Sequence, residues 1–419
     1  MRPRRKSFLD VSVFGGWLRI HDVKYFEMTD MTYQKARLWL GISGVGTLVL
    51  FASAGVFLGL PSAWRLGSSD AGVLATVMAI YIAISAPFDW IGGFYLPRRF
   101  GRATSSLMTF MTRWLRGVVL HAGVMMLGLA LILVAGKAGG LLAATIALVG
   151  GMFVLIMVQG LLARWVGTIV KSRTEHSIGG FLGSEQKGKH GKGDIAVCVY
   201  ESTDPGFTGG IIGLPGAEQV IVPETWCKHL APQMQEALIR RRHVAADSPA
   251  RKFGLLAAML WNLAGFLIAA SLLPGADVTT AAGVVTIALG AGLWSFLGLL
   301  LLPTASRSAV LAIDRQICRD PEMKTALLAN AIHAIHELQD DEPRRGRCIE
   351  TVFHPIPALE NRLAKLADTE LGHGDHNNLR PWHLARMTLY LSWACFGFLS
   401  RAVHCNSGRP DMWVLLPCD

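Results

Sequence analysis

Charge is what this chain has least of. Only 17% of its 419 residues are Asp, Glu, Lys or Arg, against about a quarter in a soluble globular protein. Apolar residues make up 52%. The shortfall excludes a disordered chain, a collagen and a simple soluble enzyme, and leaves an integral membrane protein with a sizeable polar part. Paired cysteines are missing as well. The seven cysteines, at 198, 227, 318, 348, 395, 405 and 418, form no C-x-x-C pair and are odd in number. That argues against a disulfide framework and fits reduced thiols on a cytosolic face. No apolar stretch follows Met1-Arg2-Pro3-Arg4-Arg5-Lys6 at once, so a cleavable signal peptide is not expected.

What is there instead is a set of long apolar runs. A bilayer core needs about 20 apolar residues as helix, and six stretches qualify: 38–60, 73–96, 117–134, 141–163, 254–273 and 281–302. The loop 61–72 carries only Arg65, the loop 135–140 only Lys137, and the loop 274–280 no basic residue. The opposite loops hold Arg98, Arg99, Arg102, Arg113 and Arg116, together with the basic N-terminus. By the positive-inside rule both ends and the polar parts are expected in the cytoplasm. The net charge of +10 then reflects topology, and no nucleic-acid partner is expected, since no basic–aromatic motif stands out. Membrane lipid is the expected surrounding. Asp89, two residues after Pro87 in the second stretch, is an intramembrane acid and by default a functional candidate; a helix–helix hydrogen bond is the other reading.

The polar residues fall into two segments, 165–253 and 303–388, separated by the fifth and sixth apolar stretches. Residues 194–201 and 218–222 read as strands, the second after the turn Leu214-Pro215-Gly216. A helix is predicted over 232–246. Ser248-Pro249 and Asp320-Pro321 both look like an N-cap followed by a first-turn proline, the latter opening a helix to about 338. Further helices are expected over 306–318 and 357–367. Residues 389–400 are apolar but too few to span.

The order of motifs is distinctive. Gly210-Ile211-Ile212-Gly213-Leu214-Pro215-Gly216 and a strand precede a helix that ends Arg240-Arg241-Arg242-His243. Two apolar stretches intervene. Then come Ser306-Arg307-Ser308-Ala309-Val310-Leu311-Ala312-Ile313-Asp314-Arg315 and His354-Pro355-Ile356-Pro357-Ala358-Leu359-Glu360-Asn361-Arg362-Leu363. This arrangement resembles the integral-membrane zinc metallopeptidases of the HtpX and CAAX-prenyl-protease type, metallopeptidase family forty-eight, over about 194–367. The resemblance implies an α-helical membrane protein of about six transmembrane helices with a cytoplasmic α+β zincin-like metallopeptidase domain. Its parts are a cytoplasmic basic N-terminus (1–37), a four-span membrane domain (38–164), the peptidase-like domain (165–388) interrupted by a two-span hairpin (254–302), and an apolar C-terminal segment (389–419). An HtpX-like plan also implies a bacterial cytoplasmic membrane.

The departures lie at the chemistry. The family's His-Glu-x-x-His puts two imidazoles at i and i+4 on one helix face, both reaching one zinc, with the Glu as general base. If His243 is the second ligand, Ile239 stands at the first, Arg240 at the base and Val310 at the third ligand. His243 is then the sole surviving ligand position. Anchoring on the Glu236 lead-in slides the motif onto the arginines 240–242; no register supplies a histidine pair. One imidazole does not hold a catalytic zinc, which takes three protein ligands, and an arginine stays protonated and is no base. Ile239 and Val310 are expected to face each other and fill the old metal pocket. Asp314, which the resemblance casts as a support behind the ligands, is expected to pair with Arg240 or His243. His354 completes the degenerate set.

Three readings follow. The first is a catalytically inactive regulatory or scaffolding homologue, with no catalytic residue, metal or cofactor expected. It would bind a peptide or membrane-protein partner by strand addition along Leu214, Gly216, Gln219, Val220 and Ile221. The second is an active membrane zinc metalloendopeptidase using substitute ligands. The third is a transport or lipid-handling membrane protein centred on Asp89.

Overall fold

In hydrocarbon every backbone N–H and C=O must find its partner within the protein, so apolar runs of this length fold as helices. The computed structural model describes residues 31–63, 69–102, 106–166, 172–173, 196–200, 208–301, 303–321, 323–347, 349–350 and 356–370. Contacts divide the chain into Met1–Met31 and Thr32–Asp419, and the described residues from Thr32 on belong to the second unit. Among the described residues five helices are long and apolar enough to cross a membrane: Tyr33–Phe57, Asp70–Arg99, Leu107–Met157, Gly254–Leu272 and Ala281–Gly298. The first half of the chain runs α1 (Tyr33–Phe57), α2 (Leu60–Ala63), α3 (Asp70–Trp90), a π-helical turn (Ile91–Tyr95), α4 (Leu96–Arg99), α5 (Leu107–Met157) and α6 (Gln159–Val166). Thr32 caps α1 by accepting from the Lys35 amide at 3.2 Å, and Ser106 caps α5 by accepting from the Thr109 amide at 3.2 Å. Pro87 sits inside α3, where its missing N–H loosens the ladder just before the π-helical turn.

The six apolar stretches and the five helices are reconciled in α5. Its backbone leaves the helical region at Gly139 (φ −150°, ψ 23°) and Gly140 (φ 64°, ψ −153°), and the second of these favours glycine because no Cβ is present to clash. A straight helix from Arg116 to the end of α5 would be about 60 Å long. Yet the Arg116 guanidinium donates to the carbonyls of Arg164 and Trp165, so the chain doubles back at the glycines. The turn meets two other loops. Lys137 pairs with Asp70 at the start of α3, a Cβ on Gly136 would strike the Val278 carbonyl, and one on Gly275 would lie 3.6 Å from Ser62 Oγ. The three loops that are poor in basic residues therefore gather at one end of the bundle.

The second half contains β1 (Ser172–Arg173), β2 (Ala196–Tyr200), β3 (Gly210–Ile212), β4 (Gln219–Pro223), α7 (Glu224–His229), α8 (Pro232–Asp247), α9 (Pro249–Leu272), α10 (Ala281–Leu301), α11 (Pro303–Cys318), α12 (Thr325–Gln339) and α13 (Leu359–Glu370). The sheet order is β1-β2-β4-β3. β2 runs parallel to β4, with Cys198 opposite Ile221, and β3 runs antiparallel to β4, with Ile211 opposite Val220. Alternation along β4 separates two layers. Val220 and Val222 join Trp226, Leu238 and Ile239 in one cluster, while Ile221 joins Leu162 and Leu255 in the core of the bundle.

Two expectations are corrected here. Strand addition along Gln219, Val220 and Ile221 would need β4 at an edge, and β4 is an inner strand, with β2 on one side and β3 on the other. α12 starts at Thr325 rather than at Asp320-Pro321; Asp320 closes a turn through its carbonyl, which accepts from the Met323 amide at 2.9 Å. The apolar 389–400 and the whole segment 389–419 lie outside the described residues.

The helical half of the polar part docks on the end of the bundle away from the three loops. The Tyr33 amide donates to Asp340 Oδ2 at 2.9 Å, Arg102 Nη2 donates to the Leu338 carbonyl at 2.6 Å, and Lys35 pairs with Glu342 at 3.0 Å. Asp340 takes the left-handed conformation (φ 53°) that ends α12.

Candidate functional site

Three consecutive arginines on one helix point in three directions, about 100° apart, and α8 gives each a different partner. Arg240 reaches Glu236 one turn back at 2.8 Å and Asp320 at 3.2 Å. Arg241 donates from Nε to Asp314 Oδ1 at 2.5 Å. Arg242, only 1% exposed, crosses to the sheet. There it donates from Nη1 to the Ile221 carbonyl at 2.5 Å and from Nη2 to the Thr208 carbonyl. Its guanidinium lies 4.3 Å from the centre of the Trp226 ring, a cation–π contact. Gly209 makes this approach feasible: its φ is +82°, and a Cβ there would run into the Ile221 carbonyl and lie 2.9 Å from Arg242 Nη1.

Asp314 is the centre of the arrangement. It is 2% exposed and takes a second guanidinium besides Arg241. Arg362 of α13 donates from Nε to Oδ2 at 2.9 Å and from Nη2 to Oδ1 at 3.0 Å, a bidentate fork that fits a carboxylate. Burial by itself would raise the Asp314 carboxyl; the charges of Arg241 and Arg362 outweigh it and hold the group below the usual carboxylate range. Arg362 is placed by the start of α13. There the buried Glu350 accepts from the Ala358 amide at 2.9 Å and from Asn361 Nδ2 at 3.0 Å. The partners expected of Asp314, Arg240 and His243, are not those it takes from α8: Arg241 is. The signal for Arg362 lay in the sequence, in the Leu359-Glu360-Asn361-Arg362 run, but nothing in that run alone named its acid.

α8 and α11 pack antiparallel. Ala237 shares a cluster with Ile317, Arg241 meets Asp314, and Ala245 and Ala246 share a cluster with Ile313. The face of α8 turned to α11 thus carries Ala237, Arg241 and Ala245, at i, i+4 and i+8. Ile239 is buried in the same cluster as Val220, Val222 and Trp226. Val310 is fully buried, but the α11 residue that shares Ile239's cluster is Ile313. His243 is half-buried, and His354 lies outside the described residues.

A zinc of the kind the resemblance implies does not fit these donors. The i, i+4 pair facing α11 is an arginine and an alanine, Val310 has no donor atom, and the one carboxylate is already shared by two guanidiniums. Among the described residues no group of three His, Cys, Asp or Glu side chains is placed to hold a metal ion.

Of the residues expected to bind peptide, Val220 and Ile221 are fully buried inside the sheet. Leu214 to Ala217 form a turn that is exposed from Pro215 on, with Leu214 half-buried against the core of the bundle. The Ala217 amide bonds the Leu214 carbonyl at 2.9 Å, with proline second and glycine (φ +91°) third, as a type II turn requires. Glu218 accepts from the Gly216 amide at 2.6 Å and Gln219 opens β4.

In the bundle, Asp89 is 2% exposed and accepts from Trp114 Nε1 at 2.9 Å. One and two turns deeper on α3 lie Ser85 and Tyr81, and the Tyr81 ring stands 5.9 Å from that of the buried His121.

No family model matches the chain, and no curated protein matches it. Solved structures do. The crystal structure of S. mikatae Ste24p aligns with a TM-score of 0.61 at 12% sequence identity, covering 80% of this chain and 83% of that chain. At that identity what the two share is the fold: a membrane helix bundle joined to a polar part, of the kind seen in Ste24p.

Proposed function

We propose that this chain is a membrane-embedded, metallopeptidase-like protein that works without zinc and without peptide hydrolysis, as a regulatory or scaffolding partner of another protein. One observation carries the reading. The carboxylate of Asp314, which the resemblance casts as a support behind the metal ligands, is instead shared by Arg241 and Arg362. The register that follows puts Arg241 and Ala245 at the two histidine positions, Arg242 at the general base and Val310 at the third ligand. Arg242 stays protonated, and its guanidinium is spent on the sheet and on Trp226. The likeness to Ste24p supports the fold behind this reading. In the same reading the bundle crosses the membrane six times, by α1, α3, the two arms of α5, α9 and α10. The docked polar part faces the cytoplasm, at the arginine-rich end. A peptide partner would be met at the exposed turn Leu214–Ala217 rather than along β4.

The test is elemental analysis of the detergent-purified full chain, dialysed without chelator, with a peptidase assay on the same sample. We expect far less than one zinc per chain and no cleavage, both unchanged in His243→Ala. About one zinc per chain, lost in His243→Ala and accompanied by cleavage, would overturn the proposal in favour of an active zinc endopeptidase with substitute ligands.

A further inference from the structure

The contacts that dock the polar part on the bundle come from one short stretch at the end of α12. The Leu338 carbonyl, Asp340 and Glu342 hold Arg102, the Tyr33 amide and Lys35. Between the two docking acids stands Asp341, whose carboxylate is engaged inside the polar part. Its Oδ2 accepts from Arg345 Nη2, and its Oδ1 accepts from the Glu342 amide at 2.8 Å. Arg345 is tied in turn to the Ile356 carbonyl at 3.1 Å. His336, in the last turn of α12, brings Nδ1 to 4.0 Å from the same Asp341 Oδ2. Its other ring nitrogen, Nε2, is buried and has no hydrogen-bond partner among the described residues.

A neutral imidazole fits this place and an imidazolium does not. Both ring nitrogens of the charged form are donors. Nε2 then has no acceptor, and the carboxylate oxygen within reach of Nδ1 is already held by Arg345. Burial, the largest influence, holds His336 below its ordinary value; Asp341 opposes it by charge and backbone, while the charges of Arg345 and His333 reinforce it. The other elements against α12 present apolar faces: Ala331 and Ile335 cluster with Leu238 and Ile239 of α8, and Leu328 and Ile332 with Leu359 and Leu366 of α13. The bundle's charges at this junction are Lys35 and Arg102, engaged as above. We propose that His336 is an acid-released clasp: once protonated it competes with Arg345 for Asp341, the stretch 340–342 shifts, and the polar part loosens from the start of α1. A group held below its unfolded value contributes stability that is complete above that value, about 6.5, and is lost as pH falls towards the folded one. This window lies above that of Asp314, and the clasp does not rest on the proposed loss of zinc.

The experiment is backbone hydrogen exchange of the full chain in neutral detergent, read over the peptide that contains the Tyr33 amide. It is run at about pH 7.5 and about pH 5.5 and corrected for the intrinsic pH dependence of exchange. Wild type is compared with His336→Gln and with His333→Gln, whose exposed imidazole lies 3.7 Å from Glu337. The expected result is a loss of protection at the lower pH in wild type and in His333→Gln, and none in His336→Gln. The same loss in His336→Gln, or a response that disappears in His333→Gln instead, would overturn the proposal. Where His336→Gln is unprotected at both pH values, His336→Phe, an uncharged ring, takes its place in the comparison. Wild-type protection that is equal at the two pH values sinks the clasp whatever the variants do.

Discussion

Two aspartates in this molecule are equally buried, each 2% exposed, and are treated in opposite ways. Asp89, in the bundle, accepts from the neutral indole of Trp114. Asp314, in the helical layer over the sheet, takes two full positive charges. The bundle packs through Leu129, Met152, Phe266 and their neighbours, and Trp114 is one partner of its acid. In the polar part the acid joins three helices: α8 through Arg241, α11 through Asp314 itself and α13 through Arg362. A buried ion cluster is seldom a net gain over apolar packing, so what it contributes is the register of those helices rather than affinity between them.

That contrast can be broken most forcefully at Asp314. Asp314→Ala leaves two guanidiniums buried without their carboxylate, which should cost about 3–5 kcal/mol. Thermal unfolding in detergent would show a large downward shift, and an unchanged midpoint would mean the cluster is relaxed by water. Replacing all three members at once (Arg241→Met, Asp314→Leu, Arg362→Met) should restore most of the loss. A triple variant as unstable as Asp314→Ala would refute the claim that the cost is unpaired charge.

Acid should discriminate the two regions next. The folded Asp314 carboxyl lies below its ordinary value. Its contribution is therefore complete above the unfolded value of about 4 and drains away as pH falls through the lower folded value. Unfolding followed against pH should show an acid-induced loss below about pH 4 that is absent from the apolar triple variant; the same loss in both would place its origin elsewhere. The smallest effect is expected at Asp89→Asn. The amide keeps an acceptor for Trp114, so the change should stay under about 1 kcal/mol, the usual scale for a hydrogen bond between membrane helices. A fall as large as that of Asp314→Ala would erase the distinction.

The legible and illegible parts of this fold divide along physical lines. The apolar runs announce helices because length and hydropathy act locally, and Ser248-Pro249 marks the start of α9 because a cap and a proline need only their own backbone. Asp320-Pro321 carries the same signature and does not open a helix: the carboxylate that would cap is taken by Arg240 on another element. The neighbour of β4 was hidden for a similar reason, since β2 pairs with it across 23 residues of sequence, Cys198 to Ile221, and nothing in either strand names the other. At the site, three adjacent arginines look alike in sequence. Only the antiparallel approach of α11 distinguishes Arg241, which meets Asp314, from Arg240 and Arg242. The peptide-binding residues divide in the same manner, the turn 214–217 being a local device and the interior placement of Val220 and Ile221 a tertiary one.

The pairing of Arg241 with Asp314 spans 73 positions, and between them the chain passes through α9 and α10. During synthesis α8 is therefore made before its acid, and Asp314 follows both helices of the hairpin. The cluster is thus a record of assembly: its closure requires a correctly threaded hairpin. A chain whose hairpin is misplaced would leave Arg241 and Arg362 buried without their shared carboxylate.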